Sequence, residues 1–190
     1  MKNMFKNKFE IPISVEAAKY GLALGEKVYS DKLKFKNKWL FGGNSELQAD
    51  IYGFIAETVV CEFFGQPFPK LTPGENDVFD LMIGDLRVDV KKISNRIALN
   101  KKQFDRKRSE IDAFLFCTFV GEFNNVAAGD PKLGRRVFVP VPIVGKLNLL
   151  GWIKTEDVEK RSRLFKWARS EDEAYGIPES KLNDVKELIE

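Results

Sequence analysis

The 190-residue chain has a formal net charge of +3, with 44% hydrophobic and 31% charged residues and sixteen Phe; this composition is globular and excludes a disordered, collagen-like or coiled-coil protein. At about 150 residues per domain the length fits a single domain spanning 1–190, and such a chain buries roughly 70% of its unfolded surface, enough to fold without disulfides or a structural metal. No apolar run approaches the ~18 residues of a membrane-crossing helix, and the opening MKNMFKNKFEIP lacks the apolar stretch of a signal peptide, so a soluble, unprocessed chain with no membrane partner is expected.

Histidine is absent. That removes the commonest general base, the commonest metal ligand and the Ser-His and Cys-His nucleophilic pairs together, leaving carboxylates, lysines and hydroxyls for any chemistry. The two cysteines, Cys61 and Cys117, lie in apolar surroundings and are too few for a Cys₄ zinc site. They are expected as buried free thiols in a reducing compartment, the cytoplasm.

The first helix is predicted from an N-cap at Ser14 to about Tyr29, with Val15, Ala18, Leu22 and Val28 on its inner side. Gly21 and Gly25 form a G-x-x-x-G pattern in a segment too short and charged for a membrane, which points to close helix packing. The second helix is predicted over about Glu46 to Phe64. Ser45-Glu46-Leu47-Gln48 reads as its capping box, and Gly65 followed by Pro67 ends it. Within it Glu57 has only Gly53, Phe54, Val60 and Cys61 as helical neighbours three and four residues away. A carboxylate so placed costs several kcal/mol unless paired, so Glu57 is either a functional group or one half of an ion pair with a neighbouring element.

The segment from Val78 to Lys91 is two alternating strands around Gly84-Asp85, a two-residue hairpin turn. The turn sets the register: Ile83 faces Leu86, Met82 faces Arg87, Leu81 faces Val88, Asp80 faces Asp89, Phe79 faces Val90 and Val78 faces Lys91. One face is then wholly apolar (Phe79, Leu81, Ile83, Leu86, Val88, Val90), and the other carries Asp80, Met82, Arg87, Asp89 and Lys91. Directly opposed carboxylates have Cβ atoms about 4.5–5.5 Å apart and repel, so a cation is expected between Asp80 and Asp89. A hard divalent ion, Mg²⁺ or Mn²⁺, suits such oxygen donors; neutralisation by Arg87 and Lys91 is the plainer alternative.

Asp80, Asp89-Val90-Lys91 and a preceding helix that bears Glu57 resemble the PD-(D/E)xK nuclease superfamily. Gly53-Phe-Ile-Ala-Glu57 is similar to the helix opening of small phage-type and resolvase-like members, and Gly151-Trp152-Ile153 is a further echo of the phage-type group. The resemblance covers about residues 45–153. It implies an α/β restriction-endonuclease-like fold, a mixed β-sheet core flanked by helices. It also implies a Mg²⁺-dependent (or Mn²⁺-dependent) DNA endonuclease with Glu57, Asp80, Asp89 and Lys91 as catalytic residues. Asp80, Asp89, Glu57 and the Val90 carbonyl would hold the metal, and Lys91 would position the attacking water. Two departures accompany it. Asp77 competes with Asp80 for the first acid, and the family's crossover helix between the last two strands has no counterpart in the Gly/Asn-rich 121–136.

From Arg87 to Arg108 nine cations stand against two anions, a local excess of seven positive charges. Lys92, Arg96, Lys101, Lys102, Arg106, Lys107 and Arg108 are expected to track nucleic-acid phosphates, on a basic helix near Lys101 to Glu110; a lysine-rich helix kept soluble by its charges is the alternative. Phe104 either stacks on a base or faces the core. Strands are expected at Ala113–Val120 and Val137–Val141; Pro140 and Pro142 remove two N–H groups from one side, placing the second strand at a sheet edge. Thr155 is expected to cap a helix reaching about Arg169, and a last helix to begin at Pro178, with a homodimer interface open to these helices. A catalytically inactive nucleic-acid-binding module and an RNA-cleaving enzyme remain alternatives.

Overall fold

In a computed structural model the described residues are 9–35, 44–70, 79–128, 137–166 and 172–189. The chain forms two compact units, one made of Met1–Glu10, Thr72–Thr118 and Asn148–Glu190, the other of Ile11–Leu71 and Phe119–Leu147. Its class is mixed α/β. A five-stranded sheet runs in the order β1-β6-β5-β3-β2, and a three-stranded sheet in the order β4-β8-β7. The strands are β1 (Phe9–Pro12), β2 (Leu81–Ile83), β3 (Leu86–Lys92), β4 (Ala98–Asn100), β5 (Ala113–Ala128), β6 (Val137–Lys154), β7 (Arg163–Lys166) and β8 (Glu173–Gly176). The helices are α1 (Val15–Phe35), α2 (Asn44–Phe63), α3 (Lys101–Lys107) and α4 (Val158–Arg161).

The helix pair α1/α2 belongs to the second unit. Ser14 Oγ accepts the Ala17 N–H at 3.0 Å, the predicted cap, but α1 continues past Tyr29 to Phe35. Its buried stripe is Ala17, Ala18 and Leu24 rather than one led by Val15, which is 53% exposed. The stripe is set by the two glycines. A Cβ on Gly21 would lie 2.5 Å from Ile55 Cα, and one on Gly25 equally close to Ile51 Cα. The G-x-x-x-G pattern is thus the seat of a close helix crossing. At the end of α2, Gly65 takes φ +65°, and Gly65 N–H and Gln66 N–H reach the Glu62 and Cys61 carbonyls at 3.1 and 2.8 Å, a Schellman closure. The side chains of Ser45 and Glu46 lie outside the described residues.

In the first unit the hairpin has the predicted register over Leu81↔Val88, Met82↔Arg87 and Ile83↔Leu86, and Gly84 takes the positive φ of +57° that its tight turn needs. β3 then pairs in parallel with β5, Asp89 beside Phe114 and Lys91 beside Phe116. The connection between them holds β4 and α3, a crossover as parallel pairing requires. Asn100 Oδ1 caps α3 by accepting the Gln103 N–H at 3.2 Å. Phe104, the buried residue of that basic helix, faces the core, with ring centroids 6.0 Å from Phe114 and 5.2 Å from Tyr175. Ile93, Leu99, Phe116, Ile153 and Ile177 complete the same cluster.

Four expectations are corrected. β6 has β1 and β5 on its two sides, so it is not an edge strand; β1 is only four residues beside eighteen, and the Pro140 carbonyl accepts from Tyr52 Oη at 2.6 Å. β5 and β6 also run well beyond Val120 and Val141. The helix after Thr155 is a 3₁₀ turn and then α4, ending at Arg161. Arg163–Lys166 instead pairs with Glu173–Gly176, whose other edge takes Ala98–Asn100. Last, the segment after Pro178 is two 3₁₀ turns, Glu179–Lys181 and Val185–Leu188, docked where Trp152 Nε1–H donates to the Asp184 carbonyl at 3.0 Å. Gly151, at φ +140°, makes room there, since a Cβ would meet Leu182 Cβ at 2.7 Å. Arg169 lies outside the described residues.

Cys61 and Cys117 are free and buried, and no helix among the described residues is long and apolar enough to cross a membrane.

Candidate functional site

The hairpin leaves its ladder at Asp80. In the predicted pairing Val90 N–H would meet the Phe79 carbonyl; instead it donates to Asp80 Oδ2 at 2.6 Å, while Asp80 N–H donates to the Val88 carbonyl at 2.9 Å. The strand β2 accordingly begins at Leu81, and the expected regular pairs Asp80–Asp89 and Phe79–Val90 give way to a side chain substituting for a strand. The reason is local: a carboxylate is a stronger acceptor for an N–H than a peptide carbonyl. Asp80 remains beside Asp89, whose charge helps to raise its carboxyl. Val78 and Asp77 lie outside the described residues.

Asp89 projects from the same face of β3 as Lys91 and is 1% exposed. Lys107 of α3 comes in over it. Lys91 Nζ is in ion-pair contact with Asp89 Oδ2, and Lys107 Nζ reaches Asp89 Oδ1 at 3.4 Å; the two ammonium side chains are 35% and 28% exposed. Asp89 Oδ2 has no conventionally aligned hydrogen bond among the described residues. Asp80 is half-buried as a residue, but its carboxyl is turned onto the strand. Burial of that group and then the Asp89 charge push its pKa up to about 7, against the pull of Lys91, the Val90 N–H and Lys107.

The structure brings Asp80, Asp89, Lys91 and Lys107 together, with Arg106 lining the same cavity as the last three. Lys92 alternates to the opposite face of β3, where burial lowers its pKa and Nζ lies 3.1 Å from Ser94 Oγ. Arg96 sits over the Phe165 ring at 4.9 Å. Lys101, Lys102 and Arg108 pair with Asp105, Asp172 and Glu159 at 2.7, 3.0 and 3.1 Å. Glu57 is half-buried on α2, in the unit that holds the helix pair. The role of Lys107 as partner to Asp89 is absent from the sequence reading. Its signal was Phe104: the one apolar residue in a basic helix turns inward, and Lys107, one turn on, comes in beside it.

Two carboxylates without imidazole or thiolate are a hard-oxygen donor set of the kind that holds Mg²⁺ with waters completing the shell. Burial first and then the neighbouring Asp89 charge raise the Asp80 carboxyl, and a cation at this place would offset both. Among the described residues no third His, Cys, Asp or Glu joins them in a metal-binding group. No family model matches the chain, and neither a curated protein nor a solved structure does.

Proposed function

We propose that this chain is a Mg²⁺-dependent nuclease hydrolysing DNA phosphodiester bonds as an endonuclease, on a restriction-endonuclease-like sheet. The supporting observation is the cluster at the base of the hairpin: two adjacent carboxylates, one held up to about 7, with Lys91 two residues beyond Asp89 and in contact with it. A carboxyl group perturbed by burial with a specific charged partner in a cleft is a functional-site candidate. Asp80 and Asp89 would hold Mg²⁺ or Mn²⁺, with the Val90 carbonyl as a further oxygen; Glu57 enters this reading through the family resemblance alone. A divalent ion so held supplies a bound water of lowered pKa and neutralises charge at the phosphate. Lys91 exchanges its Asp89 contact for the phosphate oxygens and orients the attacking water, a task suited to a compact ammonium. The buried thiols of Cys61 and Cys117 suit a cytoplasmic location.

The test incubates wild type and Lys91→Ala with supercoiled, linear and single-stranded DNA and with RNA, in Mg²⁺, Mn²⁺ or EDTA. Cleavage should require the metal and fall by about 10²-fold or more in Lys91→Ala, while DNA binding persists and weakens with salt. Cleavage that survives EDTA or the substitution overturns the proposal. A second reading has its own observation. Asp89 is engaged by two lysines, so the cluster could be an ion-pair network without chemistry; in that case Mg²⁺ neither stabilises the fold nor supports cleavage.

A further inference from the structure

The cavity beside Asp89 has a volume of about 250 Å³ and is lined by Asp89, Lys91, Asn100, Gln103, Arg106 and Lys107, together with apolar side chains. Its charge is unbalanced. One carboxylate lines it against three cations, with Asp80 next to Asp89 outside the lining, so the imbalance falls on Arg106, whereas Lys101, Lys102 and Arg108 each have an acid of their own. Arg106 has no carboxylate partner among the described residues, and Lys107 shares Asp89 with Lys91. The amides add donors: Asn100 Oδ1 is committed to the Gln103 N–H at 3.2 Å, so what its side chain still offers is the NH₂ group. A surplus of positive charge with amide donors attracts a compact, acceptor-rich anion, and a guanidinium beside two ammonium groups suits phosphate oxygens. The volume lies below the roughly 300–1,000 Å³ of pockets that take drug-sized ligands, which leaves room for one phosphate and its sugar.

We infer that this recess is a binding site for a single nucleotide phosphate, in which Arg106 and Lys107 of α3 grip the phosphate oxygens next to Lys91. The inference rests on the nuclease reading for the nature of the ester and deepens it. It also separates Arg106, which has no carboxylate partner among the described residues, from Lys101, Lys102 and Arg108, each paired with an acid within the fold.

The experiment is calorimetric titration of the full chain in EDTA with inorganic phosphate, thymidine 5′-monophosphate and the dinucleotide d(TpT), whose one phosphate is a diester. The proteins are wild type, Arg106→Gln, Arg106→Lys and, as a control outside the recess, Lys160→Gln. Arg106 is exposed, so its replacements should fold, which circular dichroism checks. Wild type should bind in the millimolar range or tighter, Arg106→Gln about tenfold more weakly, Arg106→Lys in between and Lys160→Gln as wild type. Affinity should fall between ~50 and ~200 mM salt. Binding of d(TpT) marks the recess as a seat for a phosphate within a strand, and binding of the monoesters alone marks it as a seat for a strand end. No binding by any of the three, or equal binding in wild type and Arg106→Gln, overturns the inference. Since neither metal nor cleavage enters the measurement, phosphate binding without nuclease activity would retain the recess and remove the enzyme. Nuclease activity without phosphate binding would do the reverse.

Discussion

Arg87 and Asp89 stand two residues apart on one face of β3, and each belongs to a carboxylate–cation arrangement, yet the two arrangements have opposite electrostatics. Arg87 meets Asp112 through two guanidinium bonds of 2.8 and 2.9 Å, and its backbone N–H adds a third at 2.9 Å. All three satisfy the ionised form, first the side-chain bonds, so the Asp112 carboxyl falls to about 2. Two residues on, Asp89 is buried between two lysines and next to a second acid, and the Asp80 carboxyl rises to about 7. The first pair is complementary and partly exposed, as a stabilising pair is. The second buries its two acids beside two lysines, so desolvation dominates there, and a perturbed group of that kind in a cleft is a candidate for function.

Asp89→Ala should break the comparison hardest. It leaves two lysines without their buried carboxylate and should cost about 3–5 kcal/mol, measured by urea unfolding at pH 7; a loss no greater than that of a surface pair would mean the lysines simply swing into water. The next effect is in pH. Because folding raises the Asp80 pKa above its ordinary 3.8, the folded protein holds a proton that the unfolded chain releases. Stability from this group is therefore complete below about pH 4 and lost as pH rises through about 7. Asp80→Asn, which stays neutral, should remove that decline, so the variant gains on wild type between pH 5 and pH 8. Added Mg²⁺ should narrow the gap by stabilising wild type. Parallel pH profiles for the two proteins would sink this account of Asp80. The smallest effect belongs to the matched pair. Arg87→Ala should cost the least of the three at pH 7, because an exposed pair is screened by solvent. With the Asp112 pKa lowered, that deficit should be present above about pH 4 and vanish as pH falls through about 2.

The legible parts of the site are those written in neighbouring residues. The Gly84-Asp85 turn and strict alternation were enough for the register from Leu81 to Val88, and Asp89-Val90-Lys91 put the acid and the lysine on one face because side chains alternate along a strand. The swing of Asp80 out of the ladder was not legible, because it depends on a competition for the Val90 N–H that alternation does not encode. Nor was the burial of Asp89, since the hairpin alone does not reveal which face the crossover helix will cover.

By itself the sequence determined the local geometry: the Ser14 cap, the Gly65 closure and the hairpin register from Leu81 to Val88. These follow from backbone sterics, capping and periodicity within a few residues. Tertiary structure decided what neighbours at long range supply. Arg163–Lys166 has a helix-compatible sequence but is a strand because Glu173–Gly176 and Ala98–Asn100 build a sheet beside it. Asp89 became a buried ion between Lys91 and Lys107 because Phe104, in sinking into the cluster of Phe114 and Tyr175, draws the next turn of α3 over it. Hydrophobic burial is non-directional and acts between segments far apart in the chain, so it can override propensity and choose which charges are brought together.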